Sequence, residues 1–229
     1  MKLLKTLKNK EVGSIGIGAM IVFIAMVLVA GIAASVLIQT STRLETQAMA
    51  TGHETTEEVS SGIAVFGILG NATTGSDIDK LAIGVRPRAG SDEIDLAETY
   101  IELSDTSRKV VLNYTTEFYS NPAAGQDDIF SASVFPDDSW SFGSHFNTDA
   151  SRFGILVLED ADSSFTGSTV VVMNRGDKAY LCINATGCFN DIAERTDLWG
   201  MVVPELGSPG IISFRTPASY SGANVFDLQ

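Results

Sequence analysis

The side chains that ordinarily carry chemistry are few and scattered in this sequence. His53 and His145 are the only histidines, whereas serine-type catalysis needs a base that is held by an acid and aimed at a nucleophile. No Gly-x-Ser-x-Gly elbow offers that nucleophile. His53 falls in a helical stretch, and His145 in a long polar loop between Ser144 and Phe146. Gly13, Gly16 and Gly18 follow no strand, and Met20 and Ile21 stand where the third glycine of a dinucleotide fingerprint would fall. No catalytic residue and no cofactor-binding residue is expected.

Other groups point to modification or ligation. Cys182 and Cys188 flank the turn-forming run Asn184-Ala185-Thr186-Gly187. In an oxidising compartment a disulfide would close this small loop, provided the two Cα atoms come within about 7 Å; two buried thiols are the other reading. Zinc lacks a second cysteine pair or a nearby histidine to complete four ligands. Three N-x-S/T sequons begin at Asn71, Asn113 and Asn184. Asn71 lies in the loop-like run 70–77 and is the best candidate for a glycan, while Asn113 is placed at a strand end with its side chain directed inward. Acidic clusters at Asp77 and Asp79, at Asp92, Glu93 and Asp95, at Asp127 and Asp128, and at Glu159, Asp160 and Asp162 offer hard oxygen donors of the kind calcium takes. None has the spacing of a twelve-residue calcium loop, so bound calcium stays possible but unassigned.

The element that dominates the chain lies upstream of all these groups. From Ile15 to Ile38 there is no charged side chain, and Lys2, Lys5, Lys8 and Lys10 precede that run. A helix over these residues is about 36 Å long, sufficient for the roughly 30 Å hydrocarbon layer of a bilayer. The run is too long for a secretory signal, whose apolar region spans 7 to 15 residues. A cut in front of it, between Gly13 and Ser14, would remove the basic head and leave the apolar helix on the mature chain.

Gly16-Ile17-Gly18, the run Ile21 to Ala30 and Ala33 to Ile38 resemble the N-terminal helix of archaellins, the subunits of the archaeal flagellum. The likeness continues through Ala50-Thr51-Gly52, Glu54 to Val59 and Ser61-Gly62-Ile63, and is weaker at Pro204-Glu205, Thr216-Pro217 and Asp227-Leu228-Gln229. The middle of the chain is not covered. Archaellin precursors usually carry Lys or Arg immediately before the glycine at the cut, but Glu11 and Val12 stand here. The resemblance implies an extracellular filament subunit that is processed by a leader peptidase and turned for swimming by a motor and membrane platform at its base.

Composition fits that expectation. The formal charge is −13; residues 1–13 carry a net +3, so the processed chain stands at −16. So acidic a body repels phosphate, and no nucleic acid is expected as a partner. The expected parts are a leader over residues 1–13, a long helix over 14–65 and an outer domain over 66–229. Beyond Gly75 the period changes from 3.6 to 2. Short strands are expected at 81–85, 95–103, 109–114, 153–158, 168–173, 178–184, 198–203 and 211–215, with residues 120–150 as an insertion loop on the outer surface. The resulting class is α+β: a long hydrophobic helix followed by an antiparallel β-sandwich of immunoglobulin type, a barrel being the alternative. Ile15, Ile17, Met20, Ile21, Phe23, Ile24, Val27, Leu28, Val36 and Leu37 would form the core of a homopolymer, after a transient stay in the membrane. A pilin-like adhesion subunit and a membrane-anchored binding protein are the competing functions.

Overall fold

The structure, a computed structural model, describes residues 10–73, 75, 77–121, 128–131, 134–136 and 151–229, with side chains from residue 13 onward. His145 and Asp127 lie outside the described residues. Two compact units divide the chain near Glu54.

Helix α1 runs without interruption from Lys10 to Ser60. No proline interrupts it; alanine, leucine and methionine favour the helix, and the frequent glycine and β-branched residues do not break it. Its end comes earlier than residue 65. Ser61 N donates to Glu57 O at 2.8 Å, and the chain then enters β1, Ile63–Asn71. Ile63 is fully buried, so the sheet captures residues that a continued helix would leave exposed.

The second unit is a mostly antiparallel β-sheet domain. Its strands are β2 Lys80–Pro87, β3 Ile94–Asp95, β4 Tyr100–Ser104, β5 Lys109–Ser120, β6 Arg152–Glu159, β7 Phe165–Gly167, β8 Val170–Met173, β9 Lys178–Asn184, β10 Asp197–Val203, β11 Gly210–Arg215 and β12 Val225–Asp227. A five-residue helix α2, Ala185–Phe189, follows β9. Nine strands form one sheet in the order β11-β10-β4-β5-β6-β9-β2-β1-β12, and a small sheet β3-β8-β7 accompanies it. Among the described strands, β5 and β6 alone pair in parallel. The large sheet curls until its ends approach: Gly62 bridges Ser208, and an added Cβ on Gly210 would lie 3.1 Å from Val65.

Alternation along β2, β6 and β9 explains why these strands read as solid hydrophobic runs. Leu81, Ile83, Ile155, Val157, Leu181 and Ile183 enter the main core. Between them, Ala82, Leu156 and Cys182 point to the other face and meet Phe130, Val134 and Phe135. Residues 128–136 are therefore not wholly an outer loop: the described part lays three buried apolar side chains against the sheet. Gly154 leaves room for it, because a Cβ there would overlap the carbonyl oxygens of Val134 and Phe118.

Candidate assembly surface and modification sites

The most unusual surface belongs to α1. Fifteen large apolar side chains between Ile15 and Ile38 are each more than half exposed, and Ile15 reaches 74%. They include the ten residues expected in a filament core, and also Val22, Met26, Val29, Ile32 and Ile38. Those five were legible as well, since a helix apolar all round has no side reserved for water. At about 1.5–3 kcal/mol for each large side chain, leaving them in water costs tens of kcal/mol.

Three threonines that follow the apolar run are satisfied within the helix. Thr40 donates to Leu37 O at 3.0 Å, Thr42 to Ile38 O at 2.9 Å, and Thr46 to Thr42 O and Arg43 O at 3.1 and 2.9 Å. A hydroxyl already bonded to its own helix can enter an apolar environment without the desolvation cost of an unpaired donor.

Where α1 hands over to the sheet, backbone meets backbone. Ser208 N donates to Ser61 O at 2.8 Å, Ile63 N to Ser208 O at 3.1 Å, and Arg88 N to Gly62 O at 2.9 Å. Ser91 Oγ both donates to Gly62 O and accepts from Gly62 N, at 3.0 Å each. Gly207, at φ 93°, passes so close that a Cβ would overlap Ser61 O. Nothing in the sequence pattern marked this clamp, because its partners lie 26 to more than 140 positions apart.

The modification candidates differ sharply in availability. Asn113 is exposed in the interior of β5, opposite Tyr100, and so does not point inward as expected. Asn71 ends β1, half-buried, and its Nδ2 donates to Thr73 Oγ1 at 3.0 Å. Asn184 is committed twice: its Oδ1 accepts from Gly187 N as the cap of α2, and its Nδ2 donates to Pro136 O at 2.7 Å.

The cysteines are not bridged to each other. The run between them forms α2 rather than a hairpin turn, which sends Cys182 to the Phe130 side of the sheet and Cys188 into the main core. Burial pushes the Cys182 thiol well above its ordinary range.

Of the acidic clusters, one is completed by a residue absent from the sequence grouping. Asp160, Asp162 and Asp177 bring carboxylate oxygens within 4.8 Å of one another. Asp177 is buried, accepting from Ala161 N at 3.0 Å, Asn174 N at 2.8 Å and Ser164 Oγ at 3.2 Å. The hydrogen bond from Asn174 Nδ2 at 2.6 Å holds the Asp162 carboxyl below its usual range. Asp177 escaped notice because fifteen positions separate it from Asp162, and only the β6–β9 pairing closes that gap.

A family model described as archaeal-type flagellin matches residues 13–214. The chain belongs to the archaeal-type flagellin family. Flagellin B1 of Methanocaldococcus jannaschii is 44% identical over 231 aligned residues, covering 100% of both chains. Flagellin B3 of Methanococcus voltae is 41% identical, with 94% of this chain and 95% of that protein aligned. The crystal structure of archaeal flagellin FlaB1 from Methanocaldococcus jannaschii superposes with a TM-score of 0.61 at 35% identity, over 74% of this chain and 97% of that one. The archaeal flagellum of Methanospirillum hungatei matches with a TM-score of 0.58 over 93% of this chain, at 14% identity a likeness of fold. This flagellin-family assignment agrees with the long apolar helix followed by a mostly antiparallel sheet domain.

Proposed function

We propose that the chain is a structural subunit of the archaeal flagellum filament, polymerising through α1, with no enzymatic role of its own. The observation that carries this reading is the fully apolar, solvent-exposed run from Ile15 to Ile38. In the precursor, this helix satisfies its own backbone groups and waits in the membrane. A leader peptidase cuts between Gly13 and Ser14, and the helix then exchanges lipid for copies of itself. Contacts that do not close into a ring extend into an open helical polymer outside the cell. A motor with its membrane platform turns that polymer for swimming.

Keeping the leader would force the four lysines of residues 1–13 into an apolar bundle. Gly13→Phe should therefore leave an unprocessed, membrane-retained chain and cells without filaments; normal filaments from this variant would refute the cut. Mass spectrometry of subunits sheared from wild-type cells should find Ser14 at the N-terminus. The same spectra should carry glycan mass on Asn71 and Asn113 and none on Asn184, whose amide the fold already uses.

We also propose that the outer domain binds a divalent cation of the calcium class at Asp160, Asp162 and Asp177. Their carboxylate oxygens lie within 4.8 Å of one another, and oxygen donors at this spacing suit a hard ion.

A further inference from the structure

Beside the junction of α1 with the sheet lies a cleft of about 440 Å³ whose charge opposes that of the rest of the chain. Arg86, Arg88, Arg175 and Lys178 line it together with Ala64 and Pro87. These are four of the ten Lys and Arg residues beyond residue 60, drawn into one place on a protein of net charge −13. Strand register explains the gathering: Arg86 stands opposite Ala64 on β1, while Lys178 opens β9 one residue before the Ala179–Val85 pair. Arg175 comes from the turn between β8 and β9.

Most of this charge is not neutralised internally. Arg86 and Arg175 are exposed and make no ion pair or hydrogen bond with a described residue. Arg88 donates to two neutral acceptors, Ile63 O at 3.3 Å and Pro209 O at 3.4 Å. Of the four, Lys178 alone pairs with an acid among the described residues, Glu159 at 2.7 Å, and that pair is exposed. Asp177, the acid among the described lining residues, is 1% exposed and accepts from Ala161, Ser164 and Asn174.

The complementary surface is on the same sequence. Glu54 and Glu58 are exposed one helical turn apart near the end of α1, neither pairing with a described cation, and Glu57 lies between them. Within one chain, like surfaces cannot satisfy each other twice; in a head-to-tail polymer each subunit offers both a cleft and an acidic helix end. We propose that the Arg86–Arg175 cleft seats the Glu54–Glu58 segment of a second copy of this chain, locking each outer domain to a neighbour's helix. The proposal rests on the reading of the chain as a filament subunit.

Two measurements test it. In cells, Arg86→Glu with Arg175→Glu should abolish filaments or make them dissociate at several-fold lower salt, and so should Glu54→Lys with Glu58→Lys. Combining the four reversals should restore salt resistance to within about twofold of the parent. Additive loss without rescue would overturn the pairing. In the second arm, a labelled peptide of residues 46–60 is titrated against the full-length chain in detergent. Binding should fall at least tenfold in the Arg86→Glu, Arg175→Glu variant. A parent chain that fails to bind the peptide, or that binds vesicles of anionic phospholipid in its place, sinks the proposal. Peptide binding without filaments from the parent would instead count against the filament reading and leave the cleft intact.

Discussion

Tyr114 illustrates how a single side chain fixes the working range of the outer domain. Its hydroxyl donates to Ser168 O at 2.8 Å, and its ring sits 5.9 Å from that of Phe153. Burial pushes its pKa up to about 12, with the nearby Tyr119 and Asp95 adding to the shift. Because the folded value lies above the unfolded value near 10, this tyrosine's contribution is complete below pH 10 and is lost as pH rises from 10 to 12. Tyr114→Phe should lower stability at pH 7 by about 1 kcal/mol, the worth of one hydrogen bond. It should also flatten the decline of melting temperature between pH 10 and 12, which thermal unfolding at stepped pH would measure. Gly207 is a second sensitive point: with φ at 93° and Ser61 O against it, Gly207→Ala should cost about 1–3 kcal/mol or more. Chemical denaturation of the mutant beside Gly75→Ala, another glycine with positive φ but open space around it, separates the clash from backbone preference alone.

At the scale of elements, the existence and type of α1 were readable because one physical property, continuous apolarity, governs its first half, although the expected bounds 14–65 became Lys10–Ser60. Its last turns were not, since whether Ile63 extends a helix or starts a strand depends on Val85 and Pro87 across the sheet. The strand at 178–184 was legible to its ends, but the expected strand at 95–103 is two strands. Thr99 N turns back onto Leu96 O, and Asp95 Oδ1 accepts from Ala97 N at 2.8 Å, an aspartate turn within an apolar-looking run. β1 itself was hidden, since a helix signal ran almost up to it and one of its two partners, β12, lies more than 150 positions away. The parallel pairing of β5 with β6 had no local signal either. For α1, uniform burial in a bundle carries a sharp consequence. Leu28→Lys should eliminate filaments while leaving the outer domain's unfolding transition unchanged, as electron microscopy and calorimetry of the detergent-solubilised chain would report; a charged residue replacing an aliphatic one in an apolar bundle has no partner there.

Across the whole molecule, charge is distributed by role. The helix from Ile15 to Ile38 carries none, residues 1–13 are basic, and the outer domain is acidic apart from the cleft lined by Arg86 and Arg175. An acidic coat limits unwanted association of a crowded extracellular polymer. It also loads the Asp160, Asp162 and Asp177 cluster with repulsion that a divalent cation would relieve. Addition of a chelator should lower the melting temperature of the domain by several degrees, with recovery on adding excess calcium. Asp177→Asn should abolish the difference between chelated and calcium-loaded samples. An unchanged melting curve with chelator would count against the site.

The register of β12 has a bearing on biogenesis. Val225, Phe226 and Asp227 pair with Asn71, Gly70 and Leu69, and Leu228 N donates to Ile68 O at 2.8 Å. The first strand after the helix pairs with β2 close by in sequence, but its other edge is closed only by residues more than 150 positions later. Contacts of such long sequence separation form late and slowly. That edge therefore stays open until Leu228 has been made, and it is the last seam of the domain to close.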